Sequence, residues 1–417
     1  MLYGFLGFPL AFCALPLYVL LPNLYARDFQ VPLATLGALL LGSRLFDALI
    51  DPFLGRWCDR LFAKSIRSLL GFAAGAAVVL GAGFSLLFFP PSRDPKILLV
   101  VTGVLLVITY SAYSAVAVAH QSWGAMLGGS EALRSRIVAW REGLGLAGVV
   151  LASITPSVLG LPVLVAVFLI SLAVGWLAWT RAQRPQTASA LLATVAPIGQ
   201  ADLWYPWRNA AFRRLHGVFM LNGIASAVPA TLILFFVQDR LQATDAMQPL
   251  FLGSFFLCGA LSMPLWLRAV KTIGLARSWL LGMAISIAVF LWATQLGVGD
   301  TTAFVVVCAL SGLALGSDLA LPGALLAGVI AEGGDRGRAE GAYFGWWNFA
   351  TKLNLALAAG VALPMLAVFG YTPGVRDPEG LQALTIAYCL LPCALKALAA
   401  IALQIFIIRP TYPRKIP

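Results

Sequence analysis

Twelve apolar segments, each of about 20 residues, divide the 417-residue chain. A helix of about 20 residues crosses the roughly 30 Å hydrocarbon core of a bilayer and satisfies its own backbone hydrogen bonds there. Charged residues make up only 11% of the chain, whereas a soluble protein of this size carries about a quarter. The sequence therefore predicts an all-α membrane protein with spans near residues 3–24, 33–55, 68–89, 97–120, 140–159, 162–180, 212–236, 248–268, 278–297, 302–327, 342–369 and 385–408.

The basic residues predict the topology. Of the 28 lysines and arginines, 20 follow even-numbered spans and only five lie in the opposite loops. The positive-inside rule then places both termini in the cytoplasm. The net charge of +11 is explained by topology, so we expect no nucleic-acid partner. The first span follows Met1 without a basic leader or clear cleavage site, which favours a membrane helix over a signal peptide. The short loops indicate a multi-pass protein of a bacterial inner membrane, and nothing suggests more than a monomer.

The longest connection, 181–211, separates two sets of six spans. It contains Pro185, Pro197 and Pro206, which favour a linker, and its Trp204, Tyr205 and Trp207 suggest an interfacial aromatic anchor. The halves also echo each other weakly, because Arg134-Ser-Arg136 after the fourth span parallels Arg336-Gly-Arg338 after the tenth. We predict bundles at 1–180 and 212–417, joined by a cytoplasmic linker. Two such repeats with a site between them are typical of the major facilitator architecture.

The second span contains two aspartates, Asp47 and Asp51, one helical turn apart. A carboxylate at the bilayer centre costs roughly 3 kcal/mol, and residues at i and i+4 lie on the same helix face. Such a pair titrates as a unit, which suits a proton or cation carrier. Arg44, three residues before Asp47, is a candidate charge partner. The alternative is a static ion-pair network between helices.

Two motifs suggest a family. One is Arg44-Leu-Phe-Asp47-Ala-Leu-Ile-Asp51-Pro52-Phe-Leu-Gly55, and the other is Arg338-Ala-Glu340-Gly341-Ala-Tyr343-Phe344 after the tenth span. Together they resemble the glycoside–pentoside–hexuronide:cation symporters, the group that contains melibiose permease. The resemblance implies that Asp47 and Asp51 bind the coupling cation and that Lys352, in the eleventh span, lies near the cation and sugar sites.

The chain departs from the sugar-transporting pattern of that family, which places a carboxylate on the first helix and another on the fourth. Neither span contains an acid here. The predicted function is H⁺- or Na⁺-coupled symport of a small organic solute, glycoside-like by family, through alternating access. H⁺ is slightly favoured because an acid pair suffices for it. The alternatives are an amphipathic substrate such as a lysolipid, an uncoupled facilitator, or a receptor derived from a transporter.

An intramembrane enzyme is the contrasting class. Zinc proteases and acyl transferases need constellations of histidine with acid or serine inside the spans. The chain has two histidines, His120 and His216, in neither pattern. The six cysteines lack metal-ligand spacing and are interpreted as packing residues. We therefore expect no catalysis, no metal and no cofactor beyond the coupling ion.

Other polar residues are weaker candidates. Asp318 in the tenth span is expected to pair with Lys352 or Lys396, and Lys396 is interpreted as structural. Candidate cavity residues, which could equally form interhelical hydrogen bonds, are Tyr110, Tyr113, His120, Asn222, Asn348 and Asn354. Charges expected to gate the cytoplasmic side, or merely to anchor the topology, are Asp59, Arg60, Arg134, Arg136, Glu142, Asp335, Arg336 and Arg338.

Overall fold

The computed structural model describes residues 1–92, 94–185, 202–244, 247–368, 370–371, 374 and 377–409. Most of the predicted linker, residues 186–201, lies outside these ranges, as does the tail with Arg414 and Lys415. Within the described ranges all regular elements are helical.

The first half of the chain forms six spans. The first runs through a 3-10 turn at Leu2–Leu6, α1 (Gly7–Leu15), a π-helical turn at Pro16–Leu20 and α2 (Leu21–Arg27). Next come α3 (Leu33–Lys64), α4 (Ile66–Phe88), α5 (Pro95–Met126) and α6 (Glu131–Thr180). Helix α6 holds the fifth and sixth spans, because Gly160 at φ 81° and ψ 173° breaks it just before Pro162. That left-handed conformation suits glycine.

The second half of the chain also forms six spans. A short helix α7 (Tyr205–Arg208) precedes α8 (Ala210–Phe235), which a π-helical turn extends over Phe236–Arg240. The next spans are α9 (Gln248–Ile273), α10 (Leu275–Ala293), α11 (Thr301–Glu332) and α12 (Glu340–Val368). The last consists of α13 (Pro378–Thr385), a π-helical turn at Ile386–Leu390, α14 (Leu391–Leu403) and a second such turn at Gln404–Ile408.

Ten spans in the described residues are long and apolar enough to cross a bilayer. Two further helices, α3 with 32 residues and α12 with 29, are also long enough to cross a bilayer. The predicted all-helical membrane architecture is therefore confirmed.

Contacts divide the chain into two compact units. Unit 1 comprises Met1–Pro206 with Ala327–Phe349, and unit 2 comprises Trp207–Leu326 with Ala350–Pro417. The sequence-based division at 181–211 assigned residues 327–349 to the second bundle. In the structure, the end of α11 and the start of α12 group with the first half of the chain instead. The contacts responsible involve the predicted gating charges.

Each unit has its own aromatic core. In unit 1 the Phe168 ring packs on Phe84, with ring centroids 4.3 Å apart, and stacks on Phe12. In unit 2 the Phe236 and Tyr388 rings stack at 4.2 Å. These rings anchor the helices whose polar faces form the candidate site.

Candidate functional site

Helix α3 has the reverse of the usual amphipathic arrangement. Its apolar side chains Leu45, Leu49 and Phe53 are exposed, while Asp47 is 2% exposed and Asp51 is fully buried. In a bilayer the exposed apolar face meets lipid, and the acids turn toward the protein interior, where ionisable groups of membrane helices are found. The structure thus places the predicted acid pair on the protected face of its helix.

Helix α5 supplies a partner for the first acid. The hydroxyl of Ser114 donates a hydrogen bond of 2.7 Å to Oδ1 of Asp47. Ser114 is itself buried, and it follows the predicted cavity residue Tyr113 directly. A carboxylate, a hydroxyl and a second carboxylate one turn away therefore lie within one region of unit 1.

Arg44 contacts the first span. Its guanidinium lies over the ring of Tyr18, 4.5 Å from the centroid, and Tyr18 stacks on Tyr110 with centroids 6.0 Å apart. A cation over an aromatic face is stabilised by about 0.5–2 kcal/mol. The predicted cavity residue Tyr110 thus belongs to the layer that positions Arg44.

A second ion pair lies on α6. Nε and Nη2 of Arg141 donate to Oε1 of Glu142 at 2.9 and 2.6 Å. Electrostatic interactions link Glu142 to the hydroxyls of Tyr3 and Tyr113. We grouped Glu142 with the gating charges, but the structure places it among aromatic side chains of the first and fourth spans.

His120 on α5 is hydrogen-bonded to Tyr3 at the start of the chain. Its Nε2 hydrogen-bonds the backbone carbonyl of Tyr3 at 2.8 Å, and the Tyr3 hydroxyl donates to the carbonyl of His120 at 2.9 Å. The two rings stack 4.1 Å apart, and Trp179 meets the imidazole edge-on. This reciprocal pairing fastens two helices together.

The end of α3 caps the start of α12. Asp59 accepts hydrogen bonds from the backbone N–H groups of Gly341 at 2.6 Å and Ala342 at 2.9 Å, and Arg56 lies 3.6 Å away. A carboxylate at a helix N-terminus satisfies free N–H groups and complements the helix dipole. A β-carbon on Gly55 would overlap the carbonyl oxygen of Gly341, so glycine permits this backbone contact.

Beside this cap lies a second buried acid outside the predicted spans. Oε1 of Glu340 accepts from the N–H of Gly337 at 2.6 Å. Burial raises the pKa of Glu340 to about 7, against the lowering effect of backbone hydrogen bonds. Burial also raises the pKa of Asp59 well above its usual range, and Glu340 raises it further. Protonation of Glu340 therefore falls close to physiological pH.

Other gating candidates join the same part of unit 1. Asp335 accepts from the hydroxyls of Tyr205 and Tyr343, both at 2.6 Å. Arg336 donates to the carbonyl oxygens of Met126 and Leu127, where α5 ends. The structure thus gathers Asp59, Asp335 and Arg336 around residues 327–349.

The remaining gating candidates contribute less to this contact. The guanidinium of Arg134 packs on Gly328. Arg60 and Arg136 are exposed, and Arg338 is half-buried. Of the predicted anchor residues, Trp204 packs on Trp346 with ring centroids 4.8 Å apart. The linker end and the α11–α12 turn are therefore held together.

Unit 2 has its own buried ion pair. Lys396 Nζ donates to Asp318 Oδ2 at 2.7 Å, to Asn222 Oδ1 at 2.9 Å and to Ser226 Oγ at 3.1 Å. Trp279 Nε1 donates to the other Asp318 oxygen at 2.9 Å. Of the two partners considered for Asp318, the structure shows Lys396. The network joins α8, α10, α11 and α14.

The other candidates are dispersed. Asn354 is buried in unit 2, where its amide packs against Gly223. Lys352 is half-buried on the part of α12 that belongs to unit 2, and Asn348 is half-buried on the part that belongs to unit 1.

Sequence reasoning did not single out several residues that complete these contacts. Ser114, Tyr18, Ser226 and Trp279 are ordinary hydroxyl or aromatic residues in apolar spans, where small polar groups commonly pack between helices. Arg141 was counted only as a topology charge. The one available signal was its position beside Glu142, at the start of the predicted fifth span.

Solved structures share this architecture. A bacterial homologue of the iron transporter ferroportin, in an outward-facing state, aligns with TM-score 0.72 and 14% identity over 99% of this chain and 100% of that one. The E. coli fucose:proton symporter FucP aligns with TM-score 0.69 and 14% identity over 97% of each chain. The human organic anion transporter MFSD10 aligns with TM-score 0.66 and 16% identity over 96% and 98%. The protein thus has the fold of major facilitator transporters.

The sequence itself gives the family. Residues 2–409 match the family described as MFS/sugar transport protein, and the chain belongs to this family. No curated protein sequence matches the chain. The resemblance inferred from the two motifs is thereby confirmed.

Proposed function

We propose that the protein is a cation-coupled symporter of a small, polar organic solute, with Asp47 and Asp51 as the coupling site. The observation that carries this proposal is the burial of both acids, one turn apart, on the protected face of a membrane helix. Two ionised carboxylates in such a position repel each other and are poorly solvated. Binding a proton or a cation relieves both costs.

The proton is the favoured coupling ion. An interacting acid pair takes up and releases one proton without further ligands, whereas Na⁺ needs several hard oxygen ligands. The Ser114 hydroxyl beside Asp47 adds one such oxygen, so Na⁺ is the second candidate. Lys352 is the proposed counter-charge, as the family resemblance implies.

The contact between Asp59 and α12 supports an alternating-access cycle. Residues 327–349 pack with the first half of the chain, although seven spans lie between α3 and α11. If the bundles at 1–180 and 212–417 rock against each other, this contact breaks in each cycle. We place it on the cytoplasmic side of a bacterial inner membrane, where the positive-inside rule puts the loops rich in basic residues.

The first experiment uses purified protein and Asp51→Asn, with Asp28→Asn as a matched control because Asp28 is an exposed carboxylate outside the site. The thermal-unfolding midpoint is measured with sugars, glycosides, organic acids and lysolipids, with and without Na⁺, at pH 6 and pH 8. Any stabilising solute is then added to proteoliposomes that contain a pH-sensitive dye.

We expect one solute class to stabilise the wild type with dependence on pH or Na⁺, and to carry protons or Na⁺ into the vesicles. Asp51→Asn abolishes this dependence, and Asp28→Asn keeps it. Solute flux without ion dependence in the wild type would show an uncoupled facilitator. Stabilisation by lysolipids alone would establish an amphipathic substrate, and binding without any flux would indicate a receptor.

A further inference from the structure

The ion pair on α6 leaves one carboxylate oxygen for a ligand. Both hydrogen bonds from Arg141 fall on Oε1 of Glu142, and within the described residues no hydrogen bond reaches Oε2. The Glu142 side chain is 25% exposed, twice as much as the 12% of Arg141. The Arg141 guanidinium is therefore bound to Oε1, while part of the Glu142 carboxylate is accessible.

The accessible part of a carboxylate in a membrane span is expected to face water rather than lipid. A carboxylate directed at hydrocarbon costs roughly 3 kcal/mol or more, and Glu142 interacts electrostatically with Tyr3 and Tyr113, which belong to the first and fourth spans. The Tyr113 hydroxyl also interacts with Asp47. Ser114, the residue after Tyr113, donates to Asp47 at 2.7 Å, so this part of α5 borders the proposed coupling site.

We propose that Glu142 selects the solute: Oε2 accepts a hydrogen bond from a hydroxyl of an uncharged polyhydroxylated molecule, and its negative charge rejects anionic analogues. An ionised carboxylate only accepts hydrogen bonds, so it favours donors such as sugar hydroxyls. Arg141 holds the Glu142 side chain in place, and its guanidinium charge is paired with Oε1. A repulsive group of this kind discriminates as strongly as an attractive one.

The proposal deepens the symporter function and rests on it. The first and fourth spans lack the carboxylates with which the related sugar transporters hold their substrate. Glu142 supplies an acid from the fifth span instead. The protein therefore recognises hydroxyls from a different helix.

The test uses two pairs of probes that differ only in charge: methyl β-D-glucopyranoside against methyl β-D-glucuronide, and the corresponding galactoside against its uronide. Apparent dissociation constants are obtained from the ligand dependence of the thermal-unfolding midpoint, at pH 6 and pH 8. The variants are Glu142→Gln, Glu142→Asp and Glu131→Gln. Glu131 is an exposed acid on the first turn of the same helix.

We expect the wild type to bind at least one neutral glycoside at least tenfold more tightly than its uronide. Glu142→Gln weakens the neutral glycoside about tenfold and strengthens the uronide, because Arg141 then lacks its counter-charge. Glu142→Asp keeps the preference for neutral probes, and Glu131→Gln behaves like the wild type.

An unchanged neutral-to-uronide ratio in Glu142→Gln would overturn the proposal, as would a wild type that no probe stabilises or one that prefers uronides. The coupling proposal is judged separately by the pH and Na⁺ dependence of the same midpoints. Loss of that dependence in Asp51→Asn supports coupling whatever Glu142→Gln does. A changed ratio without ion dependence supports Glu142 alone.

Discussion

Replacing Asp318 by asparagine leaves the Lys396 ammonium buried without its counter-charge. In the native structure the three hydrogens of Nζ meet Asp318, Asn222 and Ser226, and Lys396 is only 4% exposed. Removing one partner of a buried pair costs about 3–5 kcal/mol, because the other charge stays desolvated. At about 2–4 °C per kcal/mol for a unit of roughly 200 residues, the midpoint of unit 2 falls by about 6–20 °C.

The assay is a double-mutant cycle of Asp318→Asn, Lys396→Met and their combination in detergent-purified protein. Trp279 donates to Asp318, but the chain contains 12 tryptophans, so the readout is the thermal-unfolding midpoint and not the tryptophan emission. The combined variant removes both charges and loses less stability than the sum of the single changes, by about 1–3 kcal/mol. Glu379→Gln and Lys271→Met, at exposed positions of unit 2, change the midpoint by no more than a degree or two.

Additive losses in this cycle would refute the reasoning, since they would mean that the two charges do not depend on each other. A Tm unchanged in Asp318→Asn would do the same. Both outcomes can be distinguished from a general loss of folding, because the exposed controls report the stability of unit 2 independently.

Three further predictions concern the contact between α3 and α12 and the neighbouring α11–α12 turn. Gly55→Ala forces the backbones of α3 and α12 apart, so the buried Cys58 thiol reacts faster with N-ethylmaleimide. The control is Gly37→Ala on the same helix, where a β-carbon meets open space; it leaves the reaction rate unchanged. Burial raises the pKa of Glu340 to about 7 in the folded protein. Such an acid stabilises the fold fully below its unfolded pKa, and this stabilisation is lost as the pH rises through the folded pKa. The wild-type Tm therefore falls between pH 5 and pH 8, and Glu340→Gln flattens this slope. Tyr205→Phe removes one hydrogen bond to a carboxylate and lowers stability by about 1–3 kcal/mol, measured as a lower Tm; no change would show that the linker end does not stabilise unit 1.

The helices were predictable because their signal is strong and local. An apolar run of about 20 residues leaves few alternatives in a bilayer, and the spacing of Asp47 and Asp51 places them on one face of any helix. The family followed from the motif around these two acids and the motif at Glu340.

The partners of the charges were less predictable, because they depend on how helices rotate and pack. The sequence allows Lys352 or Lys396 as the partner of Asp318, and the packing of α14 on α8 accompanies the observed pairing with Lys396. Arg44 shares a helix stripe with Asp47, yet its long side chain reaches the Tyr18 ring. The contacts that group residues 327–349 with unit 1 include two backbone N–H groups of α12 that donate to Asp59, and a side-chain pattern does not reveal such backbone donors.

The buried charges of unit 1 and those of unit 2 differ in their capacity to bind a further ion or solute. In unit 2 each hydrogen of the Lys396 ammonium has an acceptor, and the charge of Asp318 is balanced by it. An ion pair whose charges cancel and whose hydrogen bonds are complete gains little from binding an additional ion. The role of this network is therefore to stabilise its bundle. In unit 1 two acids share one face of α3, and Glu142 offers an oxygen that Arg141 does not use. Cation and solute binding are therefore expected in unit 1, and substitutions there should alter transport more than stability, whereas those at Asp318 and Lys396 should do the reverse.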